Sequence, residues 1–493
     1  MPRGETNISQ STNKATSLFK EIAMLEYGAL IDGAVTTGGP YMEVINPATG
    51  DAFARARNCT DSDLNTAVAA ARRAYPAWRD LARTERAACL AKAAEVIRAH
   101  MSELGELQTL EQGKILNDSL IEAGAAAHWF ATAANIPFPE STNEDSEGRL
   151  NRTVYGPLGV VAAIVPWNVP LLQVGFKVPL ALYAGNTVIL KPSPFTPIAT
   201  LRLAALLAEV FPAGVFNVLS GDDSLGPKVT AHPGIDKISF TGSTATGRKI
   251  MENASAELVR VTLELGGNDA AIVLDDVDVE AAAKSLFAAS CRNTGQLCVA
   301  AKRIFVQESI YPAFGAAFKS VADAQKIGNG LDAETTMGPI QNKRQFDRLS
   351  AIAATIKKEG YTLIKDGGPR EGPGLFFDPM IVDNPPESSQ IVSDEQFGPI
   401  VPLLSFKTVD EVVERANASP YGLAASVWTK DLNQAAQIAD RLEAGTVWIN
   451  EIFHFSPMVP FGGHKDSGIG AESGVDGLKA FLQPKTISMN RGP

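Results

Sequence analysis

Two side chains in this sequence form a pair that could carry out covalent chemistry. Cys298 closes the run Asn293-Thr294-Gly295-Gln296-Leu297-Cys298, and Glu264 sits in Leu263-Glu264-Leu265-Gly266-Gly267, at the separation expected of a nucleophile and its water-activating base. Thiolate is the species that attacks a carbonyl carbon, and a free thiol with a pKa of about 8.5 is only slightly ionised at neutral pH. The sequence therefore predicts a neighbour that favours the anion. A third group, Asn168, follows Pro166-Trp167 directly after the apolar run Val160 to Val165. At the end of a buried strand its amide donors can face a cleft and hold an oxyanion. The glycines after Glu264 allow a sharp turn and close approach of a ligand, and its apolar flanks direct the carboxylate into a cleft rather than onto a solvated face.

A lone cysteine is more often a small buried hydrophobe than a nucleophile. That reading is kept for Cys59, Cys89 and Cys291, which have no partner motif. Gly242-Ser243-Thr244-Ala245-Thr246-Gly247-Arg248-Lys249 follows a β-prone run and suggests a P-loop, but Arg248 follows the second glycine and Ile250 follows Lys249. A P-loop needs Gly-Lys-Ser/Thr so that lysine reaches phosphate and the hydroxyl reaches magnesium. The N–H groups of this turn can still receive a pyrophosphate at the start of a helix.

The elements that would hold these groups are legible in outline. Thr60-Asp61 can cap a helix whose positions Leu64, Val68, Ala71 and Tyr75 share one face, and Arg83 to Leu107 reads as a second helix, so the N-terminal part is expected to be helical. From Gly159 onward, Val160 to Val165, Thr187 to Leu190, Val215 to Leu219 and Lys237 to Phe240 are short β-prone runs separated by helical stretches. This alternation predicts a parallel sheet covered on both faces. In one crossover, Thr196 is the expected N-cap and Pro197 the first helical residue, with the buried stripe running from Leu203 to Val210 before Pro212-Ala213-Gly214. A second α/β unit begins near Ala270 to Leu274, continues through Arg303 to Val306, and ends at Gly445 to Asn450.

With 493 residues, 45% of them hydrophobic, the chain can bury more than one core. Its formal net charge of -11 and lack of a basic block argue against nucleic acid as a partner. Met1 to Ser17 is polar, and the apolar stretch Leu158 to Leu172 is interrupted by Pro166-Trp167-Asn168-Val169-Pro170, so no membrane association is expected. Four cysteines make no disulfide framework and no zinc cluster, which points to a reducing cytoplasm and no metal.

Together with Glu395-Gln396-Phe397-Gly398-Pro399 and Pro460-Phe461-Gly462-Gly463-His464-Lys465, these motifs resemble the aldehyde dehydrogenase superfamily, from Ile31-Asp32-Gly33 to Lys485-Thr486-Ile487. The resemblance implies a doubly wound parallel-sheet cofactor domain (19–133 and 155–262), a second α/β catalytic domain (263–470) and a small bridging or oligomerisation sheet (134–154 and 471–493). Residues 1–18 are expected to be a loose extension. It implies oxidation of an aldehyde to the acid with NAD, NADP being the alternative. Cys298 attacks the aldehyde, the Asn168 amide and the Cys298 N–H hold the oxyanion, and Glu264 activates water against the thioester. Lys177 and Glu472 are implied in proton relay, with Ala471 standing where the family usually has an arginine. Pro166, Trp167, Lys191, Ser193, Gly242, Ser243, Gly266, Glu395 and Phe397 would contact the dinucleotide. Val169, Gln173, Phe176, Leu297, Val299, His454, Phe455 and Phe461 would line the aldehyde tunnel. That lining has no arginine, so an uncharged aliphatic, aromatic or ether-type aldehyde is expected, with a semialdehyde, or a non-catalytic member of the same fold, as the alternatives. A homodimer or homotetramer is implied. NAD-preferring members commonly carry a glutamate three residues after the cofactor lysine; here that position is Pro194, which removes a group that would repel a 2′-phosphate.

Overall fold

The computed structural model describes residues 24–492, so the extension expected over residues 1–18 lies outside the described residues. Two large sheets organise the chain. In the first, the strands Arg260–Glu264, Lys237–Thr241, Val160–Ile164, Thr187–Lys191 and Phe216–Val218 lie side by side and parallel. The parallel strands begin at Val160–Ile164, step outward to Phe216–Val218, beside which Ala29–Ile31 and Ala34–Thr36 pair antiparallel, and then return to fill the other side, which is the doubly wound order expected from the sequence. The reversal falls between Val160–Ile164 and Lys237–Thr241, and crevices for ligands open at the carboxyl ends of strands at such a point.

The second sheet runs Met380–Asp383, Ile400–Phe406, Ala301–Gln307, Asp269–Val273, Ala424–Trp428 and Thr446–Ile449, all parallel, with Leu363–Lys365 antiparallel at one edge. Its central strands are buried along their length, which accounts for runs such as Ala-Ala-Ile-Val at 270–273 that show no alternation. The chain first passes from one sheet to the other through Leu265-Gly266-Gly267-Asn268. Glu264 ends a strand of the first sheet and Asp269 begins one of the second. Gly468–Ile469 later pairs antiparallel with Arg260–Glu264, so the chain returns to the first sheet before residue 470.

Three local expectations differ from what folds. The N-terminal part is not wholly helical: Leu25–Tyr27, Ala29–Ile31, Ala34–Thr36, Tyr41–Ile45 and Ala52–Arg57 are strands too short to announce a period. Arg83 to Leu107 breaks at His100 into Arg83–Ala99 and Met101–Gln112. The crossover helix is Ile198–Leu206, with Pro197 as its N-cap residue and Val210 beyond its end. Thr196 does not cap it, because its hydroxyl donates to the Trp167 carbonyl at 3.2 Å. The free N–H groups of Ile198 and Ala199 are taken by the buried carboxyl group of Glu111 instead, at 2.6 and 3.1 Å. A cap supplied from 87 residues away leaves no local signal. By contrast Thr60 does cap Asp61–Asp80, in a capping box with Asp63.

The segments 140–154 and 480–489 meet in a three-stranded antiparallel sheet, Ser141–Asp145, Arg149–Pro157 and Leu482–Asn490. Ser141–Asp145 is exposed at every residue. Among the described residues no helix is long and apolar enough to cross a membrane.

Candidate active site

The loops that leave the carboxyl end of the first sheet meet the loops that enter the amino end of the second. Asn168 comes from the loop after Val160–Ile164, Glu264 from the end of Arg260–Glu264, and Cys298 from the loop before Ala301–Gln307. Close packing at the junction requires Gly267: a Cβ there would lie 2.5 Å from the carbonyl oxygen of Cys298. A Cβ on Gly266 would lie equally close to Oε2 of Glu395.

Cys298 is reached through three consecutive left-handed residues, Asn293, Thr294 and Gly295, with φ of 50°, 56° and 73°. For a β-branched threonine this conformation costs on the order of 1–3 kcal/mol and persists only if the surroundings enforce it. They do so through polar contacts. Thr294 Oγ1 donates to Gly338 O at 2.8 Å, and Lys302 Nζ donates to the Gly295 and Gly398 carbonyls at 2.6 and 3.0 Å. The buried Lys302, whose pKa desolvation lowers to about 8, carries no motif and was not anticipated.

The neighbour expected to favour a thiolate is not among the groups that face Cys298. Desolvation raises the thiol pKa, and Glu395, Asp269 and Glu264 push it further; among the described residues the Val299 N–H is what favours the anion. Burial likewise pushes the thiols of Cys59 and Cys291 up to about 12, and Cys89 upward as well.

Glu264 is buried, and neither carboxylate oxygen has a hydrogen-bond partner among the described residues. Desolvation holds its carboxyl well above the usual range, Glu472 pushes the same way, and Lys177 opposes them. Lys177 and Glu472 form an ion pair at 2.5 Å with both side chains fully buried, and Ser239 Oγ donates to the same Glu472 oxygen at 2.9 Å. Asn168 is also buried, and one of its expected cleft-facing donors is spent, since Nδ2 donates to the Gln296 carbonyl at 2.9 Å.

On the cofactor side, Lys191 is buried at the end of its strand with only long contacts to the Pro192 and Gly221 carbonyls, at 3.3 and 3.5 Å. Desolvation lowers its pKa to about 8, against the pull of Asp223 and Asp222. Ser243 caps the helix Thr244–Ala256 by accepting from Thr246 N, and a Cβ on Gly242 would strike the Phe240 ring. Glu395 accepts from Gly267 N at 3.1 Å and has its pKa raised to about 7, mainly by desolvation. Trp167 and Phe397 meet edge to face at 5.4 Å, while Pro166 and Ser193 are half-buried nearby in sequence. A buried ammonium with spare hydrogen-bonding capacity, a glycine-bearing helix start and an apolar wall suit an elongated anionic ligand with a planar ring.

Around Cys298 the expected tunnel residues Phe176, Val299, Phe455 and Phe461 form one apolar cluster with Trp129, Leu172, Trp448 and Phe453, which the sequence reading did not find. Trp129 stacks on Phe176 at 5.0 Å, and Phe455 meets Phe461 at 5.3 Å. Both indole N–H groups are satisfied, by Ser473 Oγ and by the His454 carbonyl. The expected polar handles contribute less than anticipated: Gln173 Oε1 accepts from Thr241 at 2.9 Å, and His454 is exposed. Val169 and Leu297 are half-buried. Among the described residues no cluster of His, Cys, Asp or Glu could hold a metal ion.

Comparison with known proteins agrees with this picture. The sequence profile of the aldehyde dehydrogenase family matches residues 35–487. The aldehyde dehydrogenase LUC3 of a Fusarium species is 40% identical over 446 residues, 90% of this chain and 94% of that protein. Betaine aldehyde dehydrogenase 1 of Rhizobium meliloti is 38% identical, covering 94% of this chain and 97% of its own. The crystal structure of betaine aldehyde dehydrogenase from Staphylococcus aureus, solved in complex with NAD+, superposes with a TM-score of 0.91 at 35% identity, over 97% of each chain.

Proposed function

The chain belongs to the aldehyde dehydrogenase family, and from that premise we propose that Cys298, Glu264 and Asn168 together oxidise an uncharged aldehyde to its acid with a nicotinamide dinucleotide. The observation that carries this reading is the convergence of a thiol, an unpartnered carboxylate and an amide at the junction of two parallel sheets, beside an apolar cluster.

Lys191, Ser193, Gly242, Ser243 and the Pro166-Trp167 turn would hold the phosphate and ribose part of NAD, and Gly266, Glu395 and Phe397 its nicotinamide end. When bound, the dinucleotide supplies a cationic ring that accepts hydride. The free N–H of the Asn168 amide and the Cys298 N–H stabilise the oxyanion that forms when Cys298 adds to the aldehyde carbon. The carbonyl then re-forms as a thioester on Cys298. Glu264, ionised, removes a proton from the water that attacks this thioester, and Lys177 and Glu472 lie next to that carboxylate to relay the proton onward. Because the resting thiol is disfavoured as an anion, its proton must leave as the site fills, and a cationic ligand close to Cys298 would offset the surrounding carboxylates.

The substrate reading rests on the apolar wall of Phe176, Trp129, Trp448, Phe455 and Phe461; Arg292, which lies over the neighbouring Phe453 at 5.9 Å, is already paired with Asp118 at 2.9 Å, so semialdehydes fit poorly. A quaternary-ammonium aldehyde is the second reading, since aromatic faces attract such cations and two of the relatives act on betaine aldehyde by name. Steady-state kinetics over benzaldehyde, medium aliphatic aldehydes, betaine aldehyde and succinic semialdehyde test both. The highest kcat/KM for succinic semialdehyde would overturn the first reading, and the highest for betaine aldehyde would establish the second. No turnover of any aldehyde, with cofactor bound, would favour a non-catalytic member of the fold.

We also infer a homodimer or homotetramer, supported by the exposed edge strand Ser141–Asp145, and a cytoplasmic location, supported by four unpaired cysteines. The domain division at 133, 155, 262 and 470 is retained, supported near 262 by the passage from the first sheet to the second directly after Glu264.

A further inference from the structure

We propose that the buried ion pair Lys114–Glu122 is a positioning device for the oxyanion donor Asn168; the inference rests on the role given to Asn168 above. Lys114 and Glu122 are 3% and 5% exposed and meet at 2.5 Å. The same Lys114 ammonium donates to the main-chain carbonyl of Asn168 at 2.7 Å. The other oxygen of Glu122 accepts from the N–H groups of Leu171 and Leu172, at 2.9 and 3.2 Å. These are in the first turn of the helix Pro170–Ala184. One ion pair thus grips the loop on both sides of Val169, pulling a carbonyl with its positive end and two N–H groups with its negative end.

The grip is anchored at its other side. Lys114 follows the left-handed Gly113 that ends Met101–Gln112, and this turn is wedged against a distant segment. A Cβ on Gly338 would lie 2.0 Å from Gly113 O, and one on Gly330 2.2 Å from Lys114 O. Asn293, at the start of the left-handed run before Cys298, donates to the same Asn168 carbonyl at 3.2 Å. The Asn168 side chain reaches back to Gln296 O at 2.9 Å. The donor and the nucleophile loop are therefore fixed to each other, and Lys114–Glu122 fixes both to the helix Leu116–Thr132. That helix also carries Trp129 of the apolar wall.

A buried ion pair is a weak source of stability, since an apolar pair of similar volume is often as good. Its directional hydrogen bonds, however, orient the peptide plane that aims the Asn168 amide, and misplacement by about 1 Å costs roughly a hundredfold in rate.

A mutant cycle tests this, using pre-steady-state NADH formation in the full-length enzyme together with NAD binding by fluorescence titration. The variants are Lys114→Met/Glu122→Gln, Asn168→Ala and the triple combination. The paired substitution removes both charges while the glutamine carbonyl still accepts from Leu171 and Leu172. It is expected to slow the burst by roughly tenfold to a hundredfold with the NAD dissociation constant unchanged. In the Asn168→Ala background it should change the burst by less than about twofold, because no donor remains to be misplaced. An equal loss in both backgrounds, or a wild-type burst in the paired variant, overturns the positioning role and leaves the Asn168 reading standing. A wild-type burst in Asn168→Ala overturns that reading and the inference with it. If the paired variant does not fold, Lys114→Arg, which keeps the charge but moves the donor, is read in the same cycle with the same outcomes.

Discussion

Lys177 Nζ lies 2.5 Å from Glu472 Oε1, with both side chains fully buried, although the two residues are 295 positions apart in the chain. The second oxygen of Glu472 has no hydrogen-bond partner among the described residues, and neither has either oxygen of Glu264. Buried carboxylates without donors are costly, so their retention here indicates use rather than stability. Like charge on Glu472 makes Glu264 harder to ionise, and positive charge on Lys177 makes it easier. The state of the pair therefore tunes the proposed base.

Glu264→Gln should separate attack from hydrolysis. Hydride leaves before the step that needs the base, so a burst of about one reduced cofactor per active site should precede a steady state lowered by roughly a hundredfold or more. Intact-protein mass spectrometry should show the acyl adduct on Cys298. Absence of both burst and adduct would move Glu264 to a role in thiol activation.

Cys298→Ser should keep cofactor binding and retain less than roughly 1% of aldehyde oxidation, because a hydroxyl does not form the covalent adduct efficiently at neutral pH. Cys291→Ser should be nearly silent, since Cys291 closes the helix Val279–Cys291 in an apolar cluster. Comparable losses in the two variants would contradict the assignment.

Cofactor choice should be relaxed rather than strict. Pro194 removes the usual repulsive carboxylate, but Asp222 and Asp223 lie close enough to bias the charge around Lys191. Asp222 is held by Ser224 N at 2.9 Å and Asn58 Nδ2 at 3.1 Å. Both aspartates are exposed, and exposed charges act over about 0.2–1 kcal/mol, so a modest NAD preference is expected. Asp223→Asn should improve NADP binding about two- to fivefold. A preference beyond roughly a thousandfold either way, about 4 kcal/mol, would mean that other residues decide.

Thermal stability of the cofactor-free enzyme should fall as pH rises from about 4.5 toward 8, in part through Glu111. Its carboxyl is pushed up to about 8 by desolvation, so the folded state holds a proton that the unfolded chain releases in that interval. The contribution is fully present below the unfolded pKa and is lost through the folded one, at about 1.4 kcal/mol per pH unit in between. Glu111→Gln keeps a carbonyl for Ile198 N and should lessen this slope, with Glu264, Asp269 and Glu395 supplying the remainder. An unchanged profile would show that other groups set it.

The sequence determined the reaction class through its resemblance to one family, and that resemblance is carried by local strings. Cys298, Glu264, Asn168 and Gly242 each sit in short strings whose neighbours give their element and aim, and the strands between them repeat regularly enough to reveal a doubly wound sheet. It could not supply groups whose meaning lies in distant partners. Lys302, Lys114, Glu122 and Glu111 belong to no motif, and folding buries them against backbone from elsewhere in the chain. The same limit misjudged the thiol. Sequence chemistry demands a thiolate, but only the tertiary structure decides which charges face Cys298, and among the described residues it brings Glu395, Asp269 and Glu264 there against the Val299 N–H. Electrostatic environment depends on desolvation and distance in space, and neither is written in the order of residues along a chain.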